Sequence, residues 1–395
     1  MSVTNMIYFS AVGMVNALGN DVAQIAQSLT TGSSPGMTLQ EGWLTEDRPI
    51  WLGAVTADLP AIPADLLSHR SRNNQLLLAA LAQIETQIQA AIAQYGKDRV
   101  AVIMGTSTSG ISEGEEAVRY FHQHGEFPQG YDYPQQELGD PSQFMAEFLD
   151  LSGPAYTLST ACSSSARAII SGKRLIESGL VDAAIVGGAD SLCRMPINGF
   201  NSLESLSHGR CTPFGQNRDG INIGEAAALI LLTREPADVA LLGVGESSDA
   251  WHMSAPHPEG LGAERAINMA LNMAGLNADD VGYINAHGTA TPLNDQVEAA
   301  VIHRLFSDRT PCSSTKHLTG HTLGAAGATE AALSWLIITH NLSLPHQDFA
   351  LTPRDASLPD IWLAEAGEPL IKPVILSNSF AFGGNNASIL IGRPS

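Results

Sequence analysis

The sequence predicts an α/β fold in which one plan of strand, turn and helix is laid down twice around a layered core. Two observations carry that prediction. First, Val100-Ala101-Val102-Ile103-Met104-Gly105, Ala183-Ala184-Ile185-Val186-Gly187-Gly188 and Ala227-Ala228-Leu229-Ile230-Leu231-Leu232 are apolar without alternation, the pattern of strands covered on both faces. Second, their order recurs. The stretch His287-Gly288-Thr289-Ala290-Thr291 echoes Thr106-Ser107-Thr108, Ser314-Thr315-Lys316 echoes Ser159-Thr160-Ala161, and residues 374–378 echo 183–188. Two copies make a divergent duplication rather than a solenoid, and buried parallel or mixed strands require helices packed on them. The first half ends between Thr233 and Val239, which divides the chain into 1–238 and 239–395.

In chain order, residues 7–13 read as a first strand, and Gly19-Asn20-Asp21 caps a helix over 22–29. A loop rich in Gly, Ser and Pro leads to 76–92, whose Leu, Ala and Ile positions suit one largely buried helix. After the strand at 100–105, residues 121–141 are rich in His, Gly, Pro, Gln and Tyr and read as an irregular excursion. A helix starts near Pro141, a second helix follows Cys162, and strands follow at 183–190 and 227–232. In the second half a strand begins near Ala240. It is followed by a helix over 263–274, a strand over 281–285, and a Gly/Ala-rich helix reaching about Ile338.

Of 395 residues, 44% are hydrophobic and 15% charged, as in packed globular proteins. The net charge of −20 disfavours nucleic acid and anionic membranes as partners. No apolar run is long enough to span a bilayer, and Met1-Ser2-Val3-Thr4-Asn5-Met6 lacks the parts of a signal peptide, so a cytoplasmic protein is expected. Cys162, Cys193, Cys211 and Cys312 lie far apart without C-x-x-C spacing, which argues for reduced thiols and against zinc.

The chain is organised around Leu158-Ser159-Thr160-Ala161-Cys162-Ser163-Ser164-Ser165, where small residues let the chain turn sharply from a strand into a helix. Cys162 is a candidate nucleophile there, since a helix N-terminus favours thiolate. A buried structural cysteine is the bland alternative. His287 follows a strand and is flanked by glycine and hydroxyls, which suits a residue facing a site; a loop histidine bonded to backbone is its alternative. Lys316 and His321 precede the Gly/Ala-rich helix. A lysine beside so apolar a helix calls for an acid partner, and Glu330 is the nearest candidate. In Asn378-Ser379-Phe380-Ala381-Phe382-Gly383-Gly384, glycines permit close backbone approach, so an exposed N–H here suits an oxyanion hole.

Together these elements resemble the β-ketoacyl-acyl carrier protein synthases, the condensing enzymes of the thiolase superfamily, in their elongating form with two catalytic histidines. Asn222-Ile223-Gly224-Glu225-Ala226-Ala227 and Ser248-Asp249-Ala250-Trp251-His252-Met253 also look like segments of that family. The resemblance implies a thiolase-like fold of duplicated αβαβα halves, and a homodimer or a dimer with a related synthase or chain-length subunit. It implies no bound cofactor or metal, the substrates riding on the phosphopantetheine of acyl carrier protein. Cys162 would take the acyl chain, with N–H groups of Cys162 and Phe382 as the oxyanion hole. Neutral His287 and His321 would stabilise the malonyl-derived enolate. Lys316 with Glu330 would organise them, Thr289 and Thr291 would contact the pantetheine arm, and Phe380 and Phe382 would gate the site. Arg70, Arg72, Arg210 and Arg218 occupy stretches like those the family uses to dock its carrier.

Thr108 falls where the family often has a bulky aliphatic residue gating the acyl pocket. With a divergent N-terminal portion, this suggests a specialised elongating synthase, of the aryl polyene or polyketide type. Two other readings compete: a non-catalytic chain-length partner, which would lack the nucleophile, and a coenzyme A thiolase, which would carry a second cysteine near its C-terminal end. This chain has Phe380-Ala381-Phe382-Gly383-Gly384 there instead.

Overall fold

The computed structural model describes residues 6–394; Met1–Asn5 of the segment read above for a signal peptide lie outside them. The first half runs β1 (Tyr8–Val15), α1 (Val22–Thr31), β2 (Met37–Gln40), β3 (Ile50–Gly53), α2 (Arg72–Leu81), α3 (Glu85–Tyr95), β4 (Val100–Gly105), α4 (Ile111–His124), α5 (Asp140–Phe148), β5 (Ala155–Leu158), α6 (Ser164–Glu177), β6 (Ala183–Asp190), α7 (Arg194–Ser202), β7 (Ile223–Gly224) and β8 (Ala226–Thr233). The second runs β9 (Ala240–Ser248), α8 (Leu261–Ala274), β10 (Tyr283–Asn285), α9 (Pro292–Phe306), β11 (Cys312–Ser313), α10 (Lys316–Thr319), α11 (Ala326–His340), β12 (Val374–Phe380) and β13 (Asn385–Gly392).

The main sheet has the order β5-β4-β6-β8-β1-β9-β13-β12-β10-β11, which reads the same way outward from its centre. On each side the outer three strands are parallel and the inner ones antiparallel. Alternate residues of one strand serve different layers. In β8, Ala228, Ile230 and Leu232 pack into a core shared with α6 and α11, which also takes Ile375 of β12 and Ile389 of β13. Ala227, Leu229 and Leu231 face the opposite way, toward α2, α3 and α5. The far face of the second half packs on α8 and α9. The result is five layers, with α6 and α11 in the middle and a half-sheet on either side. These helices cross closely: a Cβ on Gly327 would lie 2.6 Å from the Ala166 backbone nitrogen, so only glycine fits that crossing.

Two predicted helices are broken. Residues 76–92 form α2 and α3, bent by 79°. The Gln83 amide between them pairs with β1 instead, accepting from Met14 N–H at 3.2 Å and donating to Met14 O at 2.9 Å. The Gly/Ala-rich segment is interrupted after α10, where Gly320 takes φ 71°. The next residues join β7: His321 N–H donates to Asn222 O and Gly224 N–H to His321 O. The excursion after Phe121 begins one turn later than expected, α4 continuing to His124 before Gly125 closes it. No single helix among the described residues is long and apolar enough to cross a membrane.

Candidate active site

The nucleophile candidate sits on a sharp turn. β5 ends at Leu158, α6 starts at Ser164, and between them Ala161 takes φ 53°, a left-handed conformation costly for a residue with a Cβ. That turn presents Cys162, which is buried, to the centre of the molecule. His321 reaches it from the second half, with Nε2 3.2 Å from Cys162 Sγ. Leu323 N–H donates to His321 Nδ1 at 3.1 Å, which assigns the ring proton to Nε2. His321 therefore points a hydrogen-bond donor at the sulfur.

His287 completes the cluster. Its ring meets that of His321 edge-on at 5.5 Å, and the ligand-type atoms of Cys162, His287 and His321 all lie within 4.8 Å of one another. Three such groups have the spacing of metal ligands. A metal on His321 Nε2 would require the proton to sit on Nδ1, where the Leu323 N–H already points, so the arrangement is built for hydrogen bonding. The backbone of His287 is fixed by Glu298, which accepts from the N–H groups of His287 and Gly288, both at 2.7 Å. His287 Nδ1 has no partner among the described residues.

Electrostatics follow from burial. Both imidazoles are held well below the ordinary histidine range, chiefly by desolvation and next by the Lys316 cation, so they are neutral at pH 7. Lys316 is itself buried and ion-paired with Glu330. Burial raises the Glu330 carboxyl and Lys316 opposes the rise. For Cys162 the balance differs from the one expected of a helix N-terminus. Desolvation pushes its thiol up to about 11, although backbone N–H groups of Phe382 and Cys162 and the Lys316 charge pull it down. Cys162 lies two residues before α6, with Ser163 as the cap, and loss of water outweighs the helix end.

Two cavities meet at the thiol. One, of about 260 Å³, is lined by Cys162, His287, His321, Thr289, Thr291 and Phe380. The other, of about 490 Å³, is walled by the apolar Met195, Leu203 and Leu323 among others. Cys162, Phe200 and Phe382 border both, and the rings of Phe200 and Phe382 lie 5.4 Å apart.

Thr108 lines neither cavity. Its hydroxyl donates to Asp190 Oδ1 at 2.6 Å, and its neighbour Ser107 borders the apolar cavity instead, which corrects the reading of Thr108 as a pocket gate. The arginine reading also needs correction. Arg72 forks onto the buried Glu225, at 2.9 and 2.5 Å, and Arg218 has a side chain only 7% exposed against Asp355 and Asp295. Arg218, nearly covered and answering internal carboxylates, is withdrawn from docking, whereas Arg72 keeps a side chain 39% exposed while paired with Glu225. Arg210 is half-buried, donating to His317 O and lying over the Trp51 ring, while Arg70 is exposed.

Several site residues went unread in the sequence. Glu298 lies one turn after Asp295 on α9, and that pair of acids on a helix following the His287 loop was a readable signal. Asp249 falls within the family-like stretch Ser248–Met253, but no signal marked its partner Asn386. Asn386 Nδ2 donates to Asp249 Oδ1 at 2.8 Å, Asp249 N–H to Gly384 O at 2.8 Å, and Gly383 N–H to Met253 O at 2.8 Å, so residues 380–384 are latched to residues 249–257.

Residues 54–237 match the family described as beta-ketoacyl synthase, N-terminal domain, and residues 239–350 its C-terminal domain. The 3-oxoacyl-[acyl-carrier-protein] synthase 2 of Coxiella burnetii (strain RSA 493 / Nine Mile phase I) is 31% identical over 411 residues, 98% of each chain. A relative of the same name from Rhizobium meliloti (strain 1021) is 39% identical over 262 residues, and this chain spans 62% of its length, the match covering 62% of this chain. Among solved structures, a chain of the ketosynthase ApeO in complex with its chain length factor ApeC, from Xenorhabdus doucetiae, has a TM-score of 0.97 at 61% identity, over 100% of this chain and 99% of that one.

Proposed function

This chain belongs to the β-ketoacyl synthase family and is a 3-oxoacyl-[acyl carrier protein] synthase, an acyltransferase performing decarboxylative condensation, and we propose how its residues divide that reaction. Cys162 attacks the carrier-borne acyl thioester, and the tetrahedral oxyanion is met by the N–H groups of Cys162 and Phe382. The thioester bond to pantetheine breaks, and the thiol proton of Cys162 leaves with the departing sulfur. Malonyl carrier then enters along Thr289 and Thr291. His287 and His321, both neutral, stabilise the thioester enolate left when carbon dioxide departs. The enolate carbon attacks the acyl carbon, the bond to Cys162 breaks, and the thiolate released takes a proton from solvent, since its own left with the first carrier. Burial and Lys316 keep the imidazoles neutral, Glu330 holding Lys316 in place, while Phe380 and Phe382 gate entry.

The observation that carries this reading is the 3.2 Å approach of the His321 Nε2 donor to Cys162 Sγ, where the two cavities meet. Its test is intact-protein mass after mixing wild type and Cys162→Ala with acyl carrier proteins and then malonyl carrier protein. An acyl adduct present in wild type alone, discharged as a β-ketoacyl product, is expected. Absence of an adduct with every chain overturns the reading in favour of a non-catalytic partner.

The finer assignments belong to the same proposal. We read the two halves as dividing at 238/239, the substrates as carried on phosphopantetheine with no resident cofactor, and the cell compartment as cytoplasmic. The pathway is a specialised one, of the aryl polyene or polyketide type, and the dimer partner is a related synthase or chain-length subunit. The 61% identical relative described as a ketosynthase in complex with its chain length factor supports the choice of partner. Strong preference of the purified protein for simple saturated chains would sink the pathway assignment. Of the four arginines, Arg70 is the exposed one and the first candidate for carrier docking, with the part-exposed Arg72 lining the same cavity.

A further inference from the structure

The helix that walls the apolar cavity is capped by a residue of a different helix. Arg194 and Met195 begin α7, and their N–H groups donate to Glu115 of α4, at 3.0 Å to Oε2 and 2.7 Å to Oε1. Cys193, the flanking residue, offers no side-chain cap, and the third position, Pro196, has no N–H to satisfy. Among the described residues Glu115 thus supplies the side-chain cap for this end. A carboxylate there bonds two orphan donors and faces the positive end of the helix dipole.

The rest of α7 is held by other means. Ile197 is fully buried in a small core with Leu44, Leu52 and Leu323, and the Asn198 amide donates to Trp43 O and accepts from Thr45 N–H. Phe200, near the far end, lies against Phe382. The first turn is different: Met195 is 53% exposed although it lines the cavity, so packing fixes it weakly.

We propose that Glu115 is a positioning residue for acyl-chain selection: by holding the first turn of α7 it fixes the Met195–Pro196 part of the cavity wall, and so the length of chain accepted. This rests on reading that cavity as the acyl site. A short acyl group attached to Cys162 fills the end bordered by Phe200 and Phe382, whereas a long chain must pass the first turn of α7.

The test compares initial rates of Cys162 acylation from acetyl, octanoyl and palmitoyl carrier proteins, by intact mass, for wild type, Glu115→Ala and Glu115→Gln, with malonyl decarboxylation as control. The ratio of palmitoyl to acetyl rates should change by about fivefold in Glu115→Ala, the size of a lost helix cap, and by less in Glu115→Gln, which keeps one acceptor. Acetyl transfer and decarboxylation should stay within about twofold of wild type on the same basis. An unchanged ratio, or an equal fall for every chain, would mean a merely structural cap and overturns the proposal. If Glu115→Ala does not fold, Glu115→Gln decides by the same ratio. Failure of wild type to acylate with any chain would strike the underlying reading of the cavity instead.

Discussion

The loops after β4 and β10 occupy corresponding places in the two halves, and each hangs from a buried carboxylate. Asp190 accepts the N–H groups of Ser107 and Thr108 at 2.8 and 2.7 Å, and also the hydroxyls of Thr106 and Thr108. Glu298 accepts only backbone N–H groups from the loop it holds, those of His287 and Gly288. In the first half the loop's own side chains are consumed in satisfying the acid, leaving a shaped wall. In the second the carboxylate asks nothing of the side chains, so the His287 ring is left to face the cavity. A similar divergence follows β5 and β11, where one turn leads to Cys162 and the other to Lys316 and His321. Duplication supplied two equivalent frames, and the chemistry divides according to which side chains the frame left uncommitted.

The largest expected effects break this division directly. Cys162→Ala should abolish acylation while leaving malonyl decarboxylation measurable. His287→Ala or His321→Ala should do the reverse, lowering decarboxylation about 10²–10³-fold, as for loss of one oxyanion donor, with acylation reduced far less. Carbon dioxide release and Cys162 adduct mass, measured on the same preparations, separate the two half-reactions. Equal loss of both in every variant would refute a division of labour between the halves.

A smaller effect concerns pH. The neutral imidazole is the working form, and burial with Lys316 holds both histidines well below 6.5, so decarboxylation by wild type should persist on acidification past pH 6.5. In Lys316→Met the repelling cation is gone and imidazolium becomes easier to form. Activity should then begin to fall at a higher pH than in wild type. Glu330, already raised by burial, can take a proton in that variant, and if it stays charged it raises the histidines further. An acid limb that stays put in Lys316→Met would remove Lys316 from the electrostatics of the site.

Glu298→Gln sharpens the comparison at the loop itself. The amide keeps one acceptor and turns two hydrogens toward backbone N–H donors, so one of the two bonds to His287 and Gly288 is lost. A fall of about tenfold in decarboxylation with unchanged acylation is the expected result, one charge-assisted bond being worth about 1.5–3 kcal/mol. The same measurements test it, and a matching fall in acylation would mean the substitution disturbs more than its loop.

What the sequence disclosed and what it hid follow one physical line. Strands buried on both faces leave continuous apolar runs, so β4 and β6 could be read to the residue. Cys162, His287 and His321 stand out because small residues surround each of them, and all three line one cavity. The break between α2 and α3 was hidden because its cause, Met14, lies 69 residues from Gln83. Arg72 looked free for a similar reason, its partner Glu225 being 153 positions away. Asp190 and Glu115 were silent because their partners include backbone N–H groups, which every residue but proline offers and no sequence marks.

The smallest effect concerns the latch between residues 380–384 and 249–257. Asn386 Nδ2 also bonds Ser247 Oγ and Gly384 O, while Asp249 Oδ2 takes the His257 N–H, so one buried amide ties the Phe380–Gly384 stretch to the cavity rim. Asn386→Ala removes that tie but leaves the main-chain bonds of Asp249 and Gly383 in place. Loss of one buried side-chain hydrogen bond costs about 1 kcal/mol, which bounds the change in condensation rate at about fivefold. The slowing should appear when malonyl carrier is mixed with enzyme already acylated on Cys162, the step at which the proposed gating has the loop move. Acylation itself should be nearly unchanged. If Asn386→Ala instead slows acylation and leaves the second step alone, the latch serves the nucleophile of the first half, and the loop at Phe380 is not what separates the two substrates.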